Sequence, residues 1–526
     1  MNQSFPTMRL HDSILALFFF VPVALMGQFQ NVMIGNQFFP EEPSIMINPY
    51  NTDQLVAAAN IDNYYYSDNG GVTWTQGILT STYGVWGDPC IIVDTNGHFY
   101  FLHLSNPSSG NWIDRIVCQK TTNGGQTWNN GSYMGLDGTK AQDKEWAIVD
   151  PANNNIYVTW TQFDDYGSTN PLDSSIIRFS RSVDGGESWS EAVRINKVAG
   201  DCLDEDNTVE GAVPAVGPNG EIYASWAGPL GLVFTKSTDQ GITWPEENTF
   251  VTDIPGGWDY AIPGIYRANG LPITTCDLSG GPYHGRIYIN WSDQRNGLND
   301  TDVWLVISDD GGITWSNIIR VNDDPAGKQQ FFTWMDIDQT TGYLYIVFYD
   351  RRNYGDNLTD VYLAVSKDGG VTFDNMKISE SPFNPTSSVF FGDYTNISAH
   401  DGIIRPIWAR LEGGNLSVWT ALIDSLNVGI LPGQQATAFL TLDQNYPNPV
   451  REYTHIPYKI HEPSTVTLKI YDIYGKEVAA IVEDKFHAPG KYVERFDAVS
   501  YKLPRGFYYF SLTCREQALK RKMIIE

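Results

Sequence analysis

SDDGGITW, residues 308–315, is one of six eight-residue segments written to a single plan. Serine or threonine stands first, aspartate or asparagine third, glycine fifth and an aromatic eighth. The others are SDNGGVTW (67–74), TTNGGQTW (121–128), SVDGGESW (182–189), STDQGITW (237–244) and SKDGGVTF (366–373), at intervals of 54 to 71 residues. The third residue can cap amides of its own turn, the glycine supplies a positive φ, and the aromatic plugs the sheet beneath. Each segment therefore predicts a hairpin clasp, and six of them predict a repeat architecture.

Working outward from each clasp, three short apolar or alternating runs precede it, bounded by Asn-Gly or Gly-Gly signals. In the second unit these are DPCIIVDTNG (88–97), HFYFLHLS (98–105) and RIVCQKT (115–121). A seventh triplet, FGDYTNISAHDG (391–402), IIRPIWARL (403–411) and LSVWTALI (416–423), has no clasp after it. Its missing fourth strand is expected from QNVMIGN (30–36), which matches the fourth strands SNIIRVN (316–322) and EAVRIN (191–196). Such a loan closes a ring and leaves no open sheet edge. The expected fold is all-β, a seven-bladed β-propeller over residues 28–425, followed by a small C-terminal β-sandwich.

The segments resemble the Asp-box, or BNR, repeats of sialidases and related propellers. That resemblance implies a propeller with the boxes on the face away from the binding site. It also makes six blades, the sialidase number, the alternative to seven. A sialidase carries three arginines for the substrate carboxylate, an Arg-Ile-Pro motif in its first blade, a Tyr/Glu nucleophile pair and an Asp acid/base. Here the Arg-Ile-Pro motif is absent, and the first arginine after the leader is Arg115, in the second unit.

Composition agrees with short strands and tight turns: 13% aromatic residues, 48 glycines and 28 prolines. The formal charge is −27, and the acidity belongs to the part before residue 437, because the remainder holds 13 basic against 11 acidic residues. So acidic a body repels phosphate backbones and excludes nucleic acid as a natural partner. Cys90, Cys118, Cys202, Cys276 and Cys514 form no CxxC pair and are expected as core residues. Arg9 followed by the apolar run 14–26 reads as a signal peptide over 1–27, too short to span a bilayer, and no later segment reads as transmembrane.

Residues 426–444 read as a linker. Beyond it, NYPNPV (445–450), VTLKIYDIYGKEVAAIV (466–482), LPRGFYYFSL (503–512) and KRKMIIE (520–526) closely resemble the type A C-terminal sorting domain of the type IX secretion system. The match rests on Tyr446, Pro447, Asn448, Pro449, Tyr471, Gly475, Gly506, Tyr508 and the basic Lys520, Arg521 and Lys522. It covers residues 445–526 and implies export by that machinery through the periplasm to the outer-membrane surface, with anchoring or release.

Candidate chemistry lies on loops of the face opposite the boxes. The run VTDIPGGWDYAIPGIYRANG (251–270) brings Trp258, Tyr266 and Arg267, aromatics and charge suited to sugar rings. Two later loops repeat each other, WSDQRNGLNDTDVWL (291–305) and FYDRRNYGDNLTDVYL (348–363). Their Asp293, Arg295 and Asp302, and Asp350, Arg351, Arg352 and Asp360, either clamp the loops or bind a glycan, with Asp293 and Asp350 as the candidate catalytic carboxylates. Glu42, Asp88, Glu145, Glu210 and Asp393 fall near the starts of five innermost strands. They are candidates to ring the channel mouth and hold Ca²⁺, which prefers oxygen ligands. No cofactor is required by any motif. The functional expectation is a secreted or surface propeller that binds glycan or another extracellular polymer, with an exo-acting glycoside hydrolase as the alternative.

Overall fold

The computed structural model describes residues 29–424, 440–442, 444–472, 476–514 and 517–526, which fall into two compact units. The leader 1–27 and nearly all of the linker 426–444 lie outside the described residues. No helix occurs among those described.

The first unit contains seven four-stranded antiparallel sheets. Their inner strands are Ser44–Ile47, Cys90–Val93, Ala141–Val149, Glu210–Val216, Ile273–Cys276, Gln330–Asp338 and Asn396–His400, and each touches the next in that order, the last touching the first. Blades are numbered one to seven accordingly. The seventh is completed by Gln30–Gly35, which pairs antiparallel with Asn415–Asp424 from Gln30↔Leu422 onward. Burial declines outward. Second and third strands such as Ile156–Phe163 and Asp302–Ser308 are buried at every residue, whereas the outermost Val193–Arg194 is exposed.

The boxes form the clasps their spelling requires. Gly312 N donates to Ser308 Oγ (2.8 Å) and Thr314 N to Asp310 Oδ1 (2.9 Å), with Gly311 and Gly312 at φ 72° and 83°. The closing aromatic lies edge-on to a ring of the preceding blade, as Trp244 does to Phe179 and Trp315 to Phe234. A second device recurs beside it. A cation of the preceding blade donates to the box's fourth carbonyl: Arg181 to Gln240 O (2.9 Å), Lys236 to Gly311 O (2.7 Å) and Arg286 to Gly369 O (2.8 Å). Arg405 of blade seven does the same to Gly70 O of blade one (2.8 Å), so the ring is stapled across its closure.

The second unit pairs a three-stranded sheet (Leu440–Leu442, Tyr453–Ile460, Gly490–Asp497) with a four-stranded one (Glu477–His487, Ser464–Asp472, Gly506–Cys514, Gln517–Ile525). Ile456, Tyr458, Leu468, Ile470, Phe510 and Met523 form their common core.

Candidate functional site

At the start of its inner strand, most blades carry one residue in the left-handed region. Glu42, Asp88 and Lys144 occupy that position in blades one to three, at φ 49°, 51° and 52°. Glycine supplies it in blade four (Gly211) and blade seven (Gly392), at φ 73° and 97°. In blade three the extra residue is a bulge, the register shifting between Asp143 and Trp146. Left-handed non-glycine residues each cost about 1–3 kcal/mol and concentrate at functional sites.

Glu42, Asp88 and Lys144 floor an open cleft of about 140 Å³, lined also by Asn60, Trp86, Trp112, Asp143, Tyr166, Arg267 and Phe390. All come from loops or strand ends on the face opposite the boxes. Trp86 and Trp112 are 40% and 43% exposed and meet at 87° with ring centroids 6.1 Å apart. Trp112 in turn meets Tyr166 edge-on at 5.5 Å.

Lys144 is the hub of the floor. Its Nζ lies 2.8 Å from Asp393 Oδ2, 3.5 Å from Asp88 Oδ2 and 3.6 Å from Glu42 Oε1, and 5.9 Å from the Tyr394 ring centroid. Arg267 grips Asp393 with Nε (3.0 Å) and Nη2, and donates from Nη1 to Asp204 Oδ2 (3.0 Å). Tyr166 Oη donates to the same Asp204 oxygen at 2.7 Å. Asn60 donates its amide to Glu42 and accepts from Asp88 N (2.7 Å).

The carboxyls separate electrostatically. Burial, with the neighbouring negative charges, pushes Glu42 and Asp143 well above the usual carboxylate range. Burial opposes ionisation of Asp88 and Asp393 too. There Lys144, aided by hydrogen bonds from Glu42 and Asp143 to Asp88 and by Arg267 to Asp393, outweighs it and holds both below their ordinary value. Lys144 itself is held well above the usual lysine range despite its burial, because Asp393, Asp88 and Glu42 surround it.

Of the eight expected ligand-binding residues, the structure brings Arg267 to the cleft, with the 63% exposed Tyr266 edge-on to Phe390. The rest are used internally. Trp258 is 5% exposed and donates Nε1 to Thr208 O (3.1 Å). Arg295 lies between Trp291 and Trp304 and grips Asp293, which is fully buried and also accepts from Trp291 Nε1 (2.8 Å). Asp350 is likewise fully buried, held by Arg352 Nε (2.8 Å). Asp302 is sealed by Arg320, Asn322 and Asn296, and Asp360 by Ser379, Tyr354 and Lys377. Arg351 donates to Thr359 Oγ1 (3.1 Å) and Pro263 O (2.6 Å). The repeated loops are thus clamped from within, and the candidate catalytic carboxylates Asp293 and Asp350 are both fully buried, each against its own arginine.

The five acids read as Ca²⁺ ligands are divided by the fold. Glu42, Asp88 and Asp393 converge, but on an ammonium, and the residue equivalent to Glu42 and Asp88 in blade three is Lys144, one place before Glu145. Glu145 and Glu210 are buried without hydrogen-bond partners for their oxygens, and burial raises both. No group of three or more His, Cys, Asp or Glu among the described residues could hold a metal. Lys144, Asp143, Trp86 and Trp112 were missed from sequence. The only signal for Lys144 was its place one residue ahead of a flagged acid.

A family model for a secretion-system C-terminal sorting domain matches residues 444–526, and one for the BNR/Asp-box repeat matches residues 306–317. No curated protein matches the chain. Among solved structures, Hadza microbial sialidase Hz136 is similar at 14% identity and TM-score 0.40, over 70% of this chain and 73% of that one. NanB sialidase from Streptococcus pneumoniae is similar at 9% and 0.43, over 71% and 84%. An ulvan lyase of a polysaccharide lyase family is similar at 13% and 0.47, over 75% and 96%. The sorting domain supports secretion or an outer-membrane surface location, and no described helix is long and apolar enough to cross a membrane. The chain thus carries a BNR/Asp-box repeat at residues 306–317 within a ring of seven four-stranded antiparallel sheets, and a secretion-system C-terminal sorting domain at residues 444–526.

Proposed function

We propose that the protein is an exported glycan-binding propeller whose ligand lies in the cleft above Lys144. The observation that carries this reading is the exposed Trp86–Trp112 pair standing beside a floor of fixed donors and acceptors. Indole faces stack on the C–H faces of sugar rings while hydroxyls seek polar partners, and few surface sites on a soluble domain offer both. A glycan array followed by calorimetry tests it. The protein retains a glycan, and Trp86→Ala with Trp112→Ala removes retention while melting within a few degrees of the parent. Retention by the double variant equal to that of the parent contradicts the assignment.

A second reading, hydrolysis in the same cleft, is favoured by one observation. Asp88 and Asp143 line the same cleft and are displaced in opposite directions, Asp88 below and Asp143 well above the ordinary carboxylate range. That is the division of labour a general acid and its partner carboxylate need. Release of reducing sugar that is abolished by Asp143→Asn, with binding retained, selects hydrolysis; binding without release selects the first reading.

A further inference from the structure

Both cations in the cleft are already spent on protein carboxylates. Arg267 is committed to Asp393 on two nitrogens and to Asp204 on a third, and Lys144 to Asp393, Asp88 and Glu42. Five carboxyls, Glu42, Asp88, Asp143, Asp204 and Asp393, therefore face two positive charges. Setting Glu42 and Asp143 aside, the three remaining carboxyls still outnumber the two cations. Nothing in this floor presents an uncommitted guanidinium fork for a carboxylate or sulfate. Glu42 Oε1, 3.6 Å from Lys144 Nζ, is buried at the cleft wall without a hydrogen bond and can accept one from a hydroxyl.

We infer that the cleft selects uncharged sugar units and rejects carboxylated or sulfated ones, an inference that rests on the glycan-binding reading above. An anionic ring stacked on Trp86 or Trp112 would come down on an acidic floor inside a body that is itself acidic, in a recess where water screens poorly. A neutral ring meets the same oxygens as hydrogen-bond partners. Asp143, held well above the usual carboxylate range, can donate to its hydroxyls when it carries a proton, while Glu42 Oε1 and Asp88 accept.

The test uses the purified full-length protein and matched probes: neutral gluco-, xylo-, manno- and galacto-oligosaccharides, the hexose members oxidised at C6 to uronates, those uronates as methyl esters, and a sulfated counterpart of each oligosaccharide. The esters restore neutrality at nearly constant bulk. The expected result is binding of a neutral member, its uronate or sulfate weaker by at least ~10-fold in low salt, recovery in the ester, and a gap that narrows as salt rises. Asp88→Asn, which removes a carboxylate held below its ordinary value beside Lys144 and is checked by its melting curve, is expected to narrow the gap further. A uronate or sulfate that binds as tightly as its neutral parent overturns the inference while leaving the glycan reading intact. No binding by any probe, neutral or charged, overturns both.

Discussion

Lys144 Nζ lies 2.8 Å from Asp393 Oδ2, tying blade three to blade seven across the channel mouth, 249 residues apart in the chain. The contact is almost free of solvent, with the lysine side chain 8% and the aspartate 2% exposed. Removing Lys144 leaves Asp393 with Arg267 alone and takes from buried Asp88 the cation that faces it.

Lys144→Met is accordingly expected to destabilise the propeller by about 3–5 kcal/mol, the range for breaking a buried ion pair from one side. Adding Asp393→Asn to it should recover part of that loss. Urea unfolding of the two variants checks both statements, and a double variant no more stable than Lys144→Met would show that the pair is not coupled.

The inter-blade staples make a prediction about closure. Arg405→Ala removes the donor to Gly70 O, and Lys236→Ala removes the corresponding donor to Gly311 O. Charge-assisted bonds of this kind are worth about 1.5–3 kcal/mol. Each substitution should lower stability by an amount of that order, measured by denaturant unfolding. Loss at Lys236 without loss at Arg405 would mean that the seventh and first blades are held by strand pairing alone.

Stability should fall as pH rises. Burial lifts Glu41 to about 8, Asp336 to about 7 and Asp350 to about 6, each above its unfolded value. A raised acid costs nothing while both states are protonated. Its penalty sets in above the unfolded pKa and is complete once pH passes the folded one. Asp88 and Asp393 act oppositely, their contribution disappearing only as pH drops below the ordinary carboxylate range. The melting temperature is therefore expected to be highest near pH ~4–5 and to decline toward pH 8, and Glu41→Gln should flatten that decline. A melting temperature that climbs from pH 5 to 8 would contradict the burial of these acids.

The clamps give a contrast. Asp293→Ala and Asp350→Ala should each weaken the fold and leave glycan binding at parental strength, because both side chains are fully buried against their own arginines, which truncation leaves unpaired. Calorimetry beside thermal melts separates the two effects, and a loss of affinity without a loss of stability would return these residues to the ligand site.

The sheets were legible because their signals are local. Box, glycine and aromatic occur within eight residues, and the borrowed strand 30–36 spells the same pattern as its counterparts. The loop face was legible for the same reason, being the face the boxes avoid. The site was not. Asp293 and Asp350 look catalytic in sequence because an Asp-Arg pair reads alike whether it faces solvent or seals a loop. The register of the channel acids failed by a single residue: in blade three Lys144, not Glu145, holds the left-handed position that Glu42 and Asp88 hold in blades one and two. Trp86 and Trp112 come from different loops of one blade and gain meaning only when the ring brings Lys144, Arg267 and Asp393 beneath them.

The most direct test of the account is a crystal structure of the protein with a neutral oligosaccharide that binds it. The account predicts a sugar ring against Trp86 or Trp112, with hydroxyls on Glu42, Asp88 or Asp143 and the Lys144–Asp393 bridge intact below. A ligand seated on the box face, or one that displaces Lys144 from Asp393, would contradict it.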